Sequence, residues 1–244
     1  MTLSVFDLDE TLIAADSASL FCQYLVEHQL IDANFVEKDA AFMGLYNSGQ
    51  LDINDYIAFF VDALRQYSVE DIEALLPTFL TDHISHVIYP EAVELLIQLK
   101  EQGHTIVIVS ATAEFIVTAI AKLLGVEHVL AIQLETDVDN NGDDFYNGKI
   151  KGTPSFRDGK ISRLQAWVTK HNETMDGAYF YSDSINDVPL LQLIDNPVAT
   201  NPDTQLRQIA NQQNWKIVRW EKPQLHNVNN SNHTHFTQLE THNV

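Results

Sequence analysis

Apolar and polar positions change rhythm twice along the chain. Residues 3–8 (LSVFDL) form an apolar run that reads as a buried strand, yet it carries Asp7 and is followed at once by Asp9. After Thr11-Leu12 the apolar residues fall at helical intervals. They are Leu20, Phe21, Tyr24 and Leu25, then Phe42, Leu45 and Tyr46, then Ile57, Phe60, Val61 and Leu64. Ser68-Val69-Glu70-Asp71 has the form of a capping box before Ile72, Leu75 and Leu76. No strand candidate of quality interrupts residues 16–85, so the stretch reads as an all-helical insert.

From Pro90 onward strands and helices alternate. A helix over 90–101, with Pro at its start and Gly103 past its end, feeds the strand TIVIVS. A helix over 113–124 stops at Gly125, and a strand follows at 128–134. The acidic stretch ETDVDNNGDDFYNGKIKG reads as a hairpin with an Asn-Gly turn. Asp137, Asp139, Asn141 and Gly142 imitate a calcium loop, but Gly148 stands where a bidentate Glu is needed, and no helices flank it. A helix over 160–171, a strand over 178–182, a helix over 187–194, a short strand at Val198-Ala199, a helix over 203–212 and a strand over 216–219 complete the series. The pattern predicts an α/β fold: a doubly wound, Rossmann-like parallel sheet covered on both faces, with an inserted all-helical cap and ligands at the carboxyl ends of the strands. Its parts are a core of residues 1–15 and 86–222, a cap of residues 16–85, and a tail of residues 223–244. The tail is rich in Asn, His, Gln and Thr and is expected to be disordered, its histidines (His226, His233, His235, His242) included.

A length of 244 residues with 45% apolar content supports one sizeable core plus a smaller insert. Fourteen Lys+Arg against 34 Asp+Glu leave a charge of −20, which repels phosphate backbones and anionic lipids. Nucleic-acid and membrane-surface binding are therefore not expected. Cys22 is the single cysteine, which excludes an internal disulfide and fits a reducing compartment. Without a signal-like or membrane-length apolar stretch, a cytoplasmic location is expected.

The chemistry lies at the predicted strand ends. Two carboxylates two residues apart repel each other and lose solvation on burial unless a cation or proton compensates. Ser110 follows TIVIV, Asp183 follows AYFYS, and Lys160 starts the helix before that last strand. A doubly wound sheet brings such positions to one rim.

DLDET, VSAT, the isolated Lys160 and SDSIND resemble, in order, the four motifs of the haloacid dehalogenase-like phosphatases, over residues 3 to about 220. The helical insert directly after the first motif is similar to the cap of the group containing phosphoserine phosphatase. YSDSINDVPLL and NPVATNPDTQLRQIANQQNW resemble a branch with members assigned to histidinol phosphate. Ser182 replaces the glycine usual before the fourth-motif Asp, and Ala111-Thr112 stands where phosphoserine phosphatases have glycines. Phe60 falls near the position of the arginine that clamps the substrate carboxylate in those enzymes.

The resemblance implies Asp7 as the nucleophile, forming an aspartyl-phosphate. It implies Asp9 as the acid for the leaving alkoxide, then the base for the attacking water. A carboxylate attacking a phosphate dianion needs a cation. The implied one is Mg²⁺, held by Asp7, the Asp9 backbone carbonyl and Asp183, with Asp187 on its waters. Lys160 would neutralise phosphate charge; Ser110 and the N–H of Ala111, at a helix N-terminus, would bind phosphoryl oxygens. Asn186 is a candidate contact to phosphate or substrate. Asp16 matches the acid that holds the substrate ammonium in phosphoserine phosphatases, and equally suits the N-cap of the first cap helix. The substrate class implied is a small phosphorylated metabolite, a phosphomonoester of amino-alcohol or amino-acid type such as histidinol phosphate or phosphoserine. A phosphotransferase or mutase using the same aspartyl-phosphate, and a non-enzymatic phosphate- or partner-binding protein, are the alternative readings. Residues 14–85 carry twelve Asp/Glu but only Lys38 and Arg65 as bases, so the cap is expected to disfavour bisphosphates and tolerate a cationic leaving group.

Overall fold

The computed structural model describes residues 2–223, so all but the first residue of the expected tail lies outside the described residues. Strand β1 (Leu3–Phe6) is buried at all four positions, as a strand covered on both faces must be. It ends earlier than the apolar run implies, because the Leu8 carbonyl accepts from the N–H groups of Thr11, Leu12 and Ile13 and turns the chain sharply. Glu10 takes φ +52° in that turn.

The insert comprises α1 (Ser17–Glu27), α2 (Asn34–Asn47), α3 (Ile53–Asp62) and α4 (Val69–Phe79), with a π-helical stretch, Leu80–Ile84, leading back to the core. Asp16 caps α1, and the Ser68–Asp71 capping box starts α4. Phe21, Tyr24, Phe60 and Phe79 are buried together, with Phe21 and Phe79 edge-on at 5.0 Å. Helix α2 departs from its expected apolar face: Phe42 and Tyr46 are half-buried and Leu45 is 41% exposed. Its buried residue is Asp39, whose carboxylate accepts from Ser19 Oγ at 2.5 Å and Tyr56 Oη at 3.2 Å, tying α2 to α1 and α3.

The core continues through α5 (Pro90–Glu101), β2 (Thr105–Ala113), α6 (Glu114–Leu123), β3 (His128–Ile132), β4 (Leu134–Val138), β5 (Asp144–Ile150) and α7 (Asp158–His171). It closes with β6 (Tyr179–Ser182), a short 3₁₀ turn (Ile185–Asp187), α8 (Val188–Leu193), β7 (Asn196–Thr200), α9 (Thr204–Gln213) and β8 (Lys216–Val218). Six parallel strands run in the order β3-β2-β1-β6-β7-β8. The α/β architecture with an inserted helical cap is as the pattern predicts.

Two boundaries differ in ways that matter. The strand expected over 128–134 is two strands, because β4 leaves the main sheet and pairs antiparallel with β5. In the intervening turn the Asp139 carboxylate accepts from the N–H groups of Asn141 and Asp143, and Gly142 takes φ +96°. The calcium-like acids thus serve a hairpin turn. Second, Ser110 and Ala111 do not begin a helix. Strand β2 runs on to Ala113, which pairs with Ile132 after a register shift, and α6 starts at Glu114.

Candidate active site

Strand β1 lies between β2 and β6, where the connections depart in opposite directions and a crevice opens at the carboxyl ends. Asp7 enters it directly after β1, Ser110 and Thr112 from the end of β2, and Ser182 and Asp183 from the end of β6. Lys160 comes from the first turn of α7 rather than its first residue. The preceding Gly159 has a steric reason: a Cβ there would collide with the Pro154 carbonyl, so only glycine lets the helix start so close to that loop.

Lys160 Nζ lies 3.1 Å from Asp7 Oδ1 and 2.8 Å from Asp187 Oδ2, with all three side chains buried. Asp7 Oδ1 also accepts from the Leu8 N–H at 2.8 Å. Ser182, standing where a glycine is usual, donates from Oγ to Asp187 Oδ2 at 2.7 Å. Asp183 accepts from Thr11 Oγ1 at 3.1 Å, and its N–H returns a bond to the same hydroxyl. Burial pushes the Asp7 carboxyl well above its ordinary range; Lys160 opposes this, and Asp187 and Asp183 reinforce it. Asp183 is raised for the same first reason, with Asp187 adding to it. Burial works against the Lys160 ammonium, but Asp187 and Asp7 outweigh it and hold its pKa above the usual value.

Asp9 points elsewhere. Its Oδ1 accepts from Ser17 N–H and Oγ at 2.7 and 2.5 Å, and its Oδ2 accepts from Thr112 Oγ1 at 2.8 Å and Ser110 Oγ at 3.3 Å. Ser17 opens the first cap helix, so Asp9 is oriented by core and cap together.

The cleft over these groups has a volume of about 240 Å³. Asp7, Asp9, Ala111, Thr112 and Asp183 form its core side; Asp16, Met43, Tyr46, Leu51, Ile53 and Tyr56 are on its cap side. Among the described residues, neither Lys nor Arg lines it. Asp16 accepts from Ser19 N–H at 2.8 Å as N-cap and also lines the cleft. Burial, and then Asp9, push its pKa up to about 7. Phe60 sits in the aromatic core of the cap, whereas Tyr56, one turn earlier on α3, faces the cleft. Of the twelve cap acids, ten are exposed, Asp39 is buried within the cap, and Asp16 alone lines the cleft. The cap's charge therefore lies mostly on its outer surface, where water screens it.

Asn186 is held by groups of both core and cap. Its Nδ2 donates to the Tyr46 carbonyl at 3.0 Å and to Ser184 Oγ at 3.3 Å, and its Oδ1 accepts from Arg157 Nε at 3.2 Å. Sequence reasoning missed Thr11, Ser17, Tyr46, Thr112 and Arg157. Ser17 had a local signal, a hydroxyl following the Asp16 cap; the others meet the site only through distant chain.

No three His, Cys, Asp or Glu side chains converge as a metal cage among the described residues. The expected Mg²⁺ set needs only two carboxylates, Asp7 and Asp183, with the Asp9 carbonyl and water completing the shell. The chemistry of the site fits such a cation. Asp187 Oδ1 is buried without a hydrogen-bond partner, and Asp7 and Asp183 are both held above their ordinary range by burial and negative neighbours.

The description "haloacid dehalogenase-like hydrolase" matches residues 4–192. The chain belongs to this family. This hydrolase is 37% identical over 223 residues to the histidinol-phosphatase of Neisseria meningitidis serogroup C, covering 90% of this chain and 99% of that one. The phosphatase class expected from the four motifs is thereby supported. Its fold is similar to that of a protein of unknown function from Bordetella pertussis Tohama I, at TM-score 0.80 and 32% identity, covering 89% of this chain and 99% of that one. It also shares its fold with a phospho-aspartyl intermediate analogue of phosphoserine phosphatase, at TM-score 0.66 and 17% identity, covering 91% and 94%. No helix among the described residues is long and apolar enough to cross a membrane.

Proposed function

We propose that this hydrolase is a Mg²⁺-dependent phosphomonoesterase acting on a small phosphorylated amino alcohol such as histidinol phosphate. The observation that carries the reading is the difference in surroundings between Asp7 and Asp9. Asp7 is buried against Lys160, where it would meet phosphorus, while Asp9 is held by two donors of the cap residue Ser17 and two hydroxyls of the core, those of Ser110 and Thr112. In the first step an Asp7 oxygen bonds to phosphorus, the phosphorus–ester oxygen bond breaks, and Asp9 gives its proton to the leaving alkoxide. In the second, Asp9 takes a proton from water as that water bonds to phosphorus and the bond to Asp7 breaks, releasing phosphate. Lys160 offsets phosphoryl charge, and Ser110 and the Ala111 N–H are the candidate phosphoryl donors. Asp7, Asp183 and the Asp9 carbonyl would hold Mg²⁺, with Asp187 on its waters; the ion supplies the positive charge that lets carboxylate and phosphate approach.

The cap side of the cleft supports the substrate class. It offers Asp16 for an ammonium, and Met43, Tyr46, Leu51, Ile53 and Tyr56 for a flat or apolar portion, with no cation among the described residues that line it for a carboxylate or second phosphate. The histidinol-phosphatase name of the Neisseria relative agrees. Catalytic efficiency for histidinol phosphate, phosphoserine and fructose bisphosphate tests this in wild type and Asp16→Asn. Histidinol phosphate should lead and lose most in the variant; a preference for the bisphosphate, or an equal loss on all three, rejects the substrate class.

A further inference from the structure

The end of α2 is tied to the core by two side chains that the reaction does not use. Helix α2 finishes in a Schellman turn, with Gly49 at φ +70° and bonds from Gly49 N to Tyr46 O and Gln50 N to Leu45 O. Its last turn contains no basic residue. The core supplies that charge: Arg157 Nη2 donates to Gly49 O at 2.5 Å, and Arg157 Nε donates to Asn186 Oδ1 at 3.2 Å. Asn186 Nδ2 then donates to Tyr46 O at 3.0 Å. The guanidinium lies over the Phe156 ring at 4.6 Å, which fixes its plane.

Arg157 adopts φ +49° and ψ −124°, a backbone conformation that a side chain bearing Cβ resists. It also immediately precedes the helix that carries Lys160, and Asn186 lies between Asp183 and Asp187. On the other side of the turn, the Tyr46 ring lines the cleft with Asp7 and Asp183.

We propose that Arg157 is a positioning residue: with Asn186 it latches the C-terminal turn of α2 to the two core segments that carry Lys160 and Asp183, and so holds Tyr46 at the cleft that Asp7 and Asp183 also line. The proposal rests on the phosphatase reading for its effect on turnover, but the latch itself does not. The geometry closes a loop from the helix of Lys160 through Arg157 to the cap, and from the cap through Asn186 back to the loop of Asp183. Cap position and the order of the two catalytic segments are then one event rather than two. A lysine would not replace Arg157, because it lacks the planar fork that serves Gly49 and Asn186 at once.

The test uses Arg157→Gly in the full-length protein, since glycine tolerates the backbone conformation and the variant keeps its fold. Amide hydrogen exchange over residues 45–51 should speed up about tenfold, as loss of charge-assisted hydrogen bonds implies, with the central strands unchanged. With p-nitrophenyl phosphate and Mg²⁺, KM should rise about tenfold while kcat changes less than about threefold, because a smaller fraction of the protein is closed and competent to bind. Added guanidinium ion at millimolar concentration should recover part of that loss. Unchanged exchange over 45–51 overturns the latch whatever the activity; faster exchange with KM unchanged overturns its part in catalysis. A wild-type protein inactive on every phosphomonoester would count against the phosphatase reading, and the exchange arm would still decide the latch.

Discussion

Lys160 Nζ and Asp7 Oδ1 are 3.1 Å apart, and neither side chain has appreciable contact with water. A buried ammonium between Asp7 and Asp187 makes the pair strongly interdependent, since removing one partner leaves an uncompensated buried charge. Lys160→Met should lose phosphatase activity and also about 3 kcal/mol of stability at neutral pH. Chemical denaturation measures the second effect. The stability loss should shrink as pH falls, because Asp7, raised by burial, takes up a proton above its ordinary range. A stability loss independent of pH would show that packing, not charge, is what Lys160 supplies.

Asp7→Asn keeps the size of the side chain and its contact to the Leu8 N–H but removes both nucleophile and negative charge. The folded variant should lose at least about a thousandfold in kcat. Circular dichroism would verify the fold, and near-wild-type turnover would remove Asp7 from the chemistry.

Chelation should abolish activity and Mg²⁺ restore it. Ca²⁺ should restore it poorly, because it takes more ligands at longer distance and lets both oxygens of Asp7 coordinate. Mg²⁺ should also raise Tm in the wild type, by binding the folded state alone, and much less in Asp183→Asn. A Tm shift equal in both proteins would place the ion elsewhere.

Burial, and then Asp9, push the Asp16 carboxyl up from an ordinary 3.8 to about 7. The folded protein thus binds that proton more tightly than the unfolded chain does. Its contribution to stability is full below about pH 4 and is lost as pH rises from there toward 7. Asparagine retains the N-cap to Ser19 and carries no charge. The Tm of Asp16→Asn should therefore exceed that of wild type by a few degrees at pH 7.5, and the gap should close by pH 4. Parallel profiles across that range would contradict the burial of its charge.

Reading the chain by periodicity reached the sheet, the cap and the carboxylates for one reason: those signals are local. An apolar run ended by Asp7 and Asp9, or AYFYS ended by Asp183, states where a strand meets solvent or ligand, whatever the rest of the chain does. The same holds for the Ser68–Asp71 capping box, whose partners lie three residues apart.

Periodicity failed where a distant partner decides. Strand β2 runs past Ser110 because Ile132 pairs with Ala113, and no pattern within TIVIVSATA reports that neighbour. Thr112 meets Asp9, Arg157 meets Gly49, and Asn186 meets the Tyr46 carbonyl only after the cap has folded back over the sheet. Even the acidity of the cap, plain in its composition, did not reveal that ten of its twelve acids face outward. Residue type and spacing thus put Asp7, Ser110 and Asp183 at strand ends, and the resemblance of their motifs to a phosphatase family suggested what they do. Which oxygen each hydroxyl or guanidinium would serve was decided by chain closure, because a hydrogen bond is specified by position in space and not by separation along the chain.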